Sequence, residues 1–114
     1  MRDVRPAAVA GTFYPGNAAE LAVAVRECLA GTAAPVAPAA SPKALIVPHA
    51  GYVYSGPIAA GAYARLASLR STIRRVVILG PTHRVAVRGL ALPSARAFAT
   101  PLGEVEVDRE AVAT

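Results

Sequence analysis

The sequence predicts an α/β fold, and three observations predict it. Two apolar runs, Leu45-Ile46-Val47 and Val76-Val77-Ile78-Leu79, do not alternate with polar residues, which is the signature of strands buried on both faces. A helical stretch lies between them and starts near Pro57, a residue suited to the first turn of a helix. Strand, helix and strand over residues 44–79 form a βαβ unit, and such crossovers are right-handed, so the two strands are expected to be parallel, central and buried.

The remaining elements follow in chain order. Residues 6–16, with Gly11-Thr12-Phe13-Tyr14-Pro15-Gly16, read as irregular. Asn17 opens a first helix: its side chain can cap, Glu20 stands three residues later as in a capping box, and Gly31 closes the element. Leu21, Val25, Cys28 and Leu29 share one face of this helix, which makes Cys28 a small buried hydrophobe. Residues 31–42, with their three prolines, read as an extended connector. The second helix, 57–69, carries the stripe Ile58, Ala62, Leu66 and Leu69, and Ala59, Ala60 and Gly61 let it lie close on a sheet. Leu90-Ala91-Leu92 reads as a short strand, Thr100-Pro101-Leu102-Gly103 as a turn, and Glu104–Val107 as a strand with one wet face. Asp108 caps a last helix that has only begun at Thr114, so residues 1–114 are expected to be part of a longer domain.

Composition narrows the function. The chain has 114 residues, 54% of them hydrophobic, enough for a buried core in one domain at most. The net charge of +5 permits anionic partners, but the arginines are scattered and have no aromatic residues between them, which argues for a solvated surface and against nucleic acid. One cysteine excludes an internal disulfide and suits a reducing cytoplasm. The start of the chain has no apolar core of signal-peptide type, and no apolar run approaches the roughly 20 residues that span a bilayer, so a cytoplasmic protein is expected.

The two histidines carry the chemistry. Both follow an apolar run and a proline, in Leu45-Ile46-Val47-Pro48-His49 and Ile78-Leu79-Gly80-Pro81-Thr82-His83. Ligand sites of open α/β sheets lie just beyond the carboxyl ends of strands. If the strands are parallel, both imidazoles reach one sheet edge, and neutral imidazole is the commonest protein ligand of transition metals. Tyr52 and Tyr54 either pack over the sheet end or offer a hydroxyl to a bound ligand. Thr82 either orients an imidazole or caps a turn.

The stretches "RPAAVAGTFYPGN", "PHAGYVYSGPIAAGAY" and "VVILGPTHRVAVRGLALPSARAFATPLGEVEVDREAV" resemble the N-terminal part of the Memo family, whose bacterial and archaeal members are called AmmeMemoRadiSam system protein B. The resemblance runs from about Arg5 to the last residue, with Thr82 where many members have Ser. It implies an α/β fold with a mixed central sheet and flanking helices, similar to the class III extradiol dioxygenases, of which residues 1–114 are the N-terminal part of a single domain whose C-terminal part is absent. It also implies a divalent metal site, with iron favoured over copper or zinc, in which His49 and His83 are two ligands and a cysteine from the C-terminal half is the third. Cys28 lies outside that motif. Tyr52 or Tyr54 would steer substrate or oxygen. Two functions stay open: a metal-dependent, dioxygenase-like redox enzyme acting on a small molecule, or a non-catalytic metal- or partner-binding scaffold of a radical-SAM-associated modification system.

Overall fold

Asn17 shows how directly the local chemistry of this chain sets its elements. Its backbone is extended, and its Oδ1 accepts hydrogen bonds from the N–H groups of Ala19 (2.9 Å) and Glu20 (3.1 Å). Those donors have no partner inside a helix, so the side chain starts helix α1, Ala18–Ala30, which closes at Gly31. The computed structural model describes residues 3–33 and 41–113, so most of the expected Pro-rich connector, residues 34–40, lies outside the described residues.

The remaining elements are β1 (Val4–Arg5), α2 (Tyr52–Tyr63) continued by a 3-10 segment (Ala64–Leu69), β2 (Ala97–Thr100), β3 (Gly103–Glu106) and α3 (Arg109–Ala113). They fall into two compact units, Ala8–Arg74 and a second made of Met1–Ala7 with Arg75–Thr114.

In the unit Ala8–Arg74, α1 packs on α2. On α2, Gly56 faces Cys28 of α1, and Tyr52, Gly56, Ala59, Ala60 and Tyr63, at helical spacing, line a hollow together with Val25, Cys28 and Leu29 of α1. Small residues let the two backbones come close. A Cβ built on Gly56 would stand 3.1 Å from Cys28 Sγ, closer than ordinary packing tolerates. Leu21 (4% exposed) and Ala60 (5%) are the buried apolar residues of this unit among those described, and a side chain such as Leu21 contributes about 1.5–3 kcal/mol when fully buried. The expected stripe differs: Ile58 is 69% exposed, and α2 lies against a helix through its small residues, not against a sheet through its large ones.

The start of α2 is also earlier than Pro57 predicts. The helix begins at Tyr52 with Gly51 as N-cap, which leaves Pro57 inside it, where Pro supplies no N–H to the carbonyl of Val53. Ser55 offsets this at the opposite side of the first turn. Its hydroxyl donates to the carbonyl of Ala50 (2.8 Å), with Gly51 O at 3.3 Å, and its own N–H bonds to Gly51 O. The side chain therefore ties the preceding loop to the helix without a conventional capping residue.

The second unit holds a mixed sheet in the order β1-β2-β3. β1 pairs parallel with β2 (Val4↔Ala97, Arg5↔Phe98) and β2 antiparallel with β3 (Ala97↔Glu106 through Thr100↔Gly103). Thr100-Pro101-Leu102-Gly103 makes the hairpin turn, and Gly103 takes φ +130°, which a side chain would strain. Ala97 is fully buried, Arg5 lies over the Phe98 ring at 5.4 Å, and Arg96 joins Asp3 through its Nε at 2.6 Å. Asp108 caps α3 by accepting from the Ala111 N–H (2.9 Å) and pairs with Arg75 Nε at 2.7 Å.

Several expected elements are absent among the described residues. The runs 44–47 and 75–79 form no strand, and neither does Leu90-Ala91-Leu92. Ile46 is 100% exposed and Ile78 87%. The reason is that an apolar run becomes a strand only when neighbours take its N–H and C=O groups, and the three strands of this sheet pair with one another and not with these runs. Glu104–Val107 is a strand over 103–106, as its alternation suggests, but Val105 is exposed, so neither face of β3 is covered. Among the described residues, the large buried core expected from composition is not seen. Among the described residues the buried apolar set is Leu21, Ala60, Ala95 and Ala97.

Two stability outcomes follow from this architecture. Ile78→Ala, which would cost about 2–5 kcal/mol in a buried strand, is expected to change stability by no more than about 0.5 kcal/mol because the side chain is already in water. Urea unfolding of the two proteins measures it, and a loss in the core range would show that Ile78 is covered. Gly56→Ala sets helix propensity, a gain of about 1 kcal/mol, against the contact with Cys28 Sγ. The substitution is expected to be more favourable in a Cys28→Ala background than alone, with a coupling of about 0.5–1 kcal/mol in a double-mutant cycle.

Candidate functional site

The site is built by two loops and two helices of the unit Ala8–Arg74. Residues 9–14 form a tight loop. Gly11, at φ +81°, donates its N–H to Tyr14 O (2.8 Å), and Thr12 and Phe13 donate theirs to Val9 O. The carbonyl of Phe13 then accepts the N–H of Tyr52 at 2.8 Å, which docks this loop on the segment Pro48-His49-Ala50-Gly51. Gly51 sits against this loop: a Cβ there would lie 3.4 Å from Phe13 O, in van der Waals contact.

These contacts border a solvent-open hollow of about 530 Å³. Its wall is apolar for the most part, with Val9, Phe13, Val25, Leu29 and Ala59 among the lining residues. The groups in it that can carry chemistry are His49, Tyr52, Tyr14, Tyr63 and Cys28. A mainly apolar hollow with a few convergent polar groups is the usual form of a small-molecule site. The Tyr14 and Tyr52 rings meet at 5.7 Å between centroids, tilted by 46°. Burial raises the Tyr52 phenol above its ordinary pKa, and the neighbouring Tyr14, Cys28 and Tyr63 act in the same direction, so the hydroxyl stays protonated at neutral pH and can donate a hydrogen bond.

The expected site residues are placed as follows. His49 and Tyr52 line the same cavity. Tyr54, two residues along α2, is 81% exposed and is not among the cavity residues. His83 lies in the exposed segment that follows the run 75–79, in the other unit. Among the described residues, no three His, Cys, Asp or Glu side chains are grouped to hold a metal ion. Imidazole suits iron, copper or zinc as a donor, but two histidines fall short of the three-ligand set that holds Fe(II) in non-heme oxygenases.

Sequence reasoning missed part of the cavity wall. Cys28 reads as a buried hydrophobe but is only half-buried and faces the cavity. Tyr14 reads as part of an irregular stretch. The available signal was the Phe13-Tyr14 pair between Gly11 and Gly16, an aromatic couple on a loop held by glycines.

The fold elements and the loop that carries His49 define a small α/β protein with a histidine beside an apolar, tyrosine-lined cavity. The comparisons make this specific. The sequence matches the family described as Memo-like protein over residues 5–114. It is 42% identical to a MEMO1 family protein of Ignicoccus hospitalis over 96% of this chain and 40% of the relative. A MEMO1 family protein of Aquifex aeolicus is 41% identical over 94% of this chain and 38% of its own, and the protein memo-1 homolog of Caenorhabditis elegans is 39% identical over 93% and 29%. The chain belongs to the Memo-like family. It spans about two-fifths of the length of the archaeal and bacterial relatives named here. No helix among the described residues is long and apolar enough to cross a membrane.

The raised Tyr52 pKa sets a pH dependence. An unfolded tyrosine titrates near 10, and the folded state prefers the neutral phenol. The stability this contributes is full below that value and is lost as pH rises through the higher folded-state pKa. Urea unfolding at about pH 8 and about pH 11 is expected to show a larger alkaline loss for the wild type than for Tyr52→Phe. Equal losses would mean that the hydroxyl is not buried. Ser55→Ala is expected to cost about 1 kcal/mol by removing the bond to Ala50 O, and to speed amide hydrogen exchange at Gly51 and Tyr52.

Proposed function

We propose that this chain is the N-terminal part of a single Memo-like domain, organised like the class III extradiol dioxygenases, in which His49 and His83 are imidazole ligands of one divalent ion. Iron is the first choice of metal, copper or zinc the next. The observation that carries the reading is the position of His49. It is one of only two histidines in the chain, and it lines the same apolar cavity as Tyr52, whose phenol burial keeps protonated. The cavity suits a small molecule with a polar group. Its polar group would meet His49 or Tyr52, and its apolar part the apolar residues of the wall. Tyr54, exposed on the next face of α2, is the second candidate for contact with ligand or oxygen.

An ion bound at such a site would act as a Lewis acid or redox centre. Two donors do not complete the site, so no reaction step is assigned to this chain alone. That same shortfall favours a second reading, a non-catalytic metal- or partner-binding scaffold within a radical-SAM-associated modification system, placed in the cytoplasm with neither membrane nor nucleic acid as partner.

Calorimetric titration with Fe(II), Cu(II) and Zn(II) tests the metal site. Binding is expected to be weaker than that of the Ignicoccus hospitalis relative by on the order of tenfold or more, and His49→Ala or His83→Ala should abolish it. Both histidines are exposed, so neither substitution is expected to unfold the chain. If His83→Ala unfolds the protein but leaves metal affinity intact, the histidine is structural and the reading fails. Oxygen uptake on catechols with Fe(II) separates the two functions. No turnover is expected from this chain, and turnover by the relative alone would support the enzymatic reading.

A further inference from the structure

We propose that the hollow of the unit Ala8–Arg74 binds an uncharged, flat aromatic compound that carries a carbonyl-type acceptor, and that the Tyr52 phenol donates a hydrogen bond to that acceptor. The inference rests on the reading of this hollow as a ligand site and names the class of ligand. It needs no metal. The first observation is the wall. The chain has two phenylalanines, four tyrosines and no tryptophan. Four of these six rings, Phe13, Tyr14, Tyr52 and Tyr63, line this one hollow. They come from separate parts of the chain, Phe13 and Tyr14 from the loop of residues 9–14, Tyr52 and Tyr63 from the two ends of α2. Aromatic rings pack on one another edge to face or offset, so a wall built of four of them favours a flat aromatic guest over a saturated one. The volume, about 530 Å³, lies within the span of small-molecule sites, roughly 300–1,000 Å³.

The charge of the ligand follows from the side chains around it. Among the described residues, no Asp, Glu, Lys or Arg lines the hollow. A carboxylate or phosphate entering it would leave water without gaining a cationic partner, and an unpaired buried charge is costly. A cation would meet aromatic faces but no carboxylate, on a chain whose net charge of +5 repels it. An uncharged ligand meets neither penalty. Its polar group follows from Tyr52. That phenol is protonated at neutral pH, so it presents an O–H donor within a mainly apolar wall, where a hydrogen bond is stronger than in water. The matching group on the ligand is an acceptor, such as the carbonyl of an aryl ketone.

Metal-free binding tests it. The whole 114-residue chain is held in a chelator and titrated with acetylnaphthalene, followed by the ketone's own fluorescence, which no tryptophan obscures. Four analogues are measured beside it: naphthoate, a naphthylmethyl trimethylammonium salt, ethylnaphthalene, which lacks the acceptor, and acetyldecalin, the same skeleton saturated. The ketone is expected to bind more tightly than either charged analogue by about tenfold or more, and more tightly than acetyldecalin although that compound is the more hydrophobic. Tyr52→Phe should weaken the ketone by about fivefold and leave ethylnaphthalene unchanged. Ala59→Leu, which narrows the hollow, should weaken both, and Val23→Ala, on a part of α1 that does not line it, neither. The analogue series on the wild type decides charge and flatness without any substitution. The inference is overturned if the ketone does not bind, if a charged analogue or acetyldecalin binds as tightly, or if Tyr52→Phe spares the ketone or weakens ethylnaphthalene equally. Zn(II) titration without chelator reads the metal separately. Ketone binding with no Zn(II) binding removes the metal reading and leaves this one standing, and Zn(II) binding with no ketone binding does the reverse.

Discussion

The hydrogen bond from the Tyr52 N–H to the Phe13 carbonyl is the contact on which the candidate site depends. It joins two loops far apart in sequence, at 2.8 Å, and in doing so it sets where His49 stands and where Tyr52 begins its helix. Gly51 passes close to the same carbonyl, within van der Waals range of where a side chain's Cβ would sit. The loop of residues 9–14 has to be preformed for that carbonyl to face the right way, which its own hydrogen bonds at Val9 and Tyr14 accomplish. Ser55 then locks the other side of the turn through Ala50. Each of these residues acts on backbone, so the wall of the cavity is shaped by main-chain geometry before any side chain lines it.

How much of this was legible in the sequence depends on the range of the interactions concerned. Asn17, Gly31, the 100–103 turn and Asp108 were readable because each acts on backbone within a few residues of itself. The β3 strand was readable from its alternation. What was not legible depends on partners distant in sequence. A non-alternating run says that a segment wants burial, and it says nothing of what provides it. The runs 44–47 and 75–79 therefore read as central strands but form no strand; 75–79 is exposed throughout, and in 44–47 Ile46 is fully exposed while Leu45 and Val47 are half-buried. β1, two residues long, has no periodicity to detect, and its parallel pairing with β2 joins segments at opposite ends of the chain.

Pro57 is the instructive error. A proline at a helix start is a sound rule, because the first turn has no acceptor for the missing N–H. In this chain the start was moved upstream by tertiary hydrogen bonds to Phe13 and within the turn at Gly51, and these outweighed the loss of one bond inside α2. The face of α2 was misread for a related reason. Large apolar residues were expected to lead, but small residues face α1, where a Cβ on Gly56 would press against Cys28 Sγ.

The open apolar rows and the net charge of +5 on the same small chain make its solubility a property of ionic strength. At low salt the surplus of arginine keeps copies apart, since like charges repel over tens of ångströms. Near physiological salt the field of each charge fades within about 8–10 Å, and the flanking arginines guard only their immediate surroundings. Raising salt further strengthens apolar association while removing the electrostatic barrier to it. A stretch of chain that is harmless in dilute buffer thus becomes the point at which copies meet, and the few arginines beside it set the concentration at which that happens.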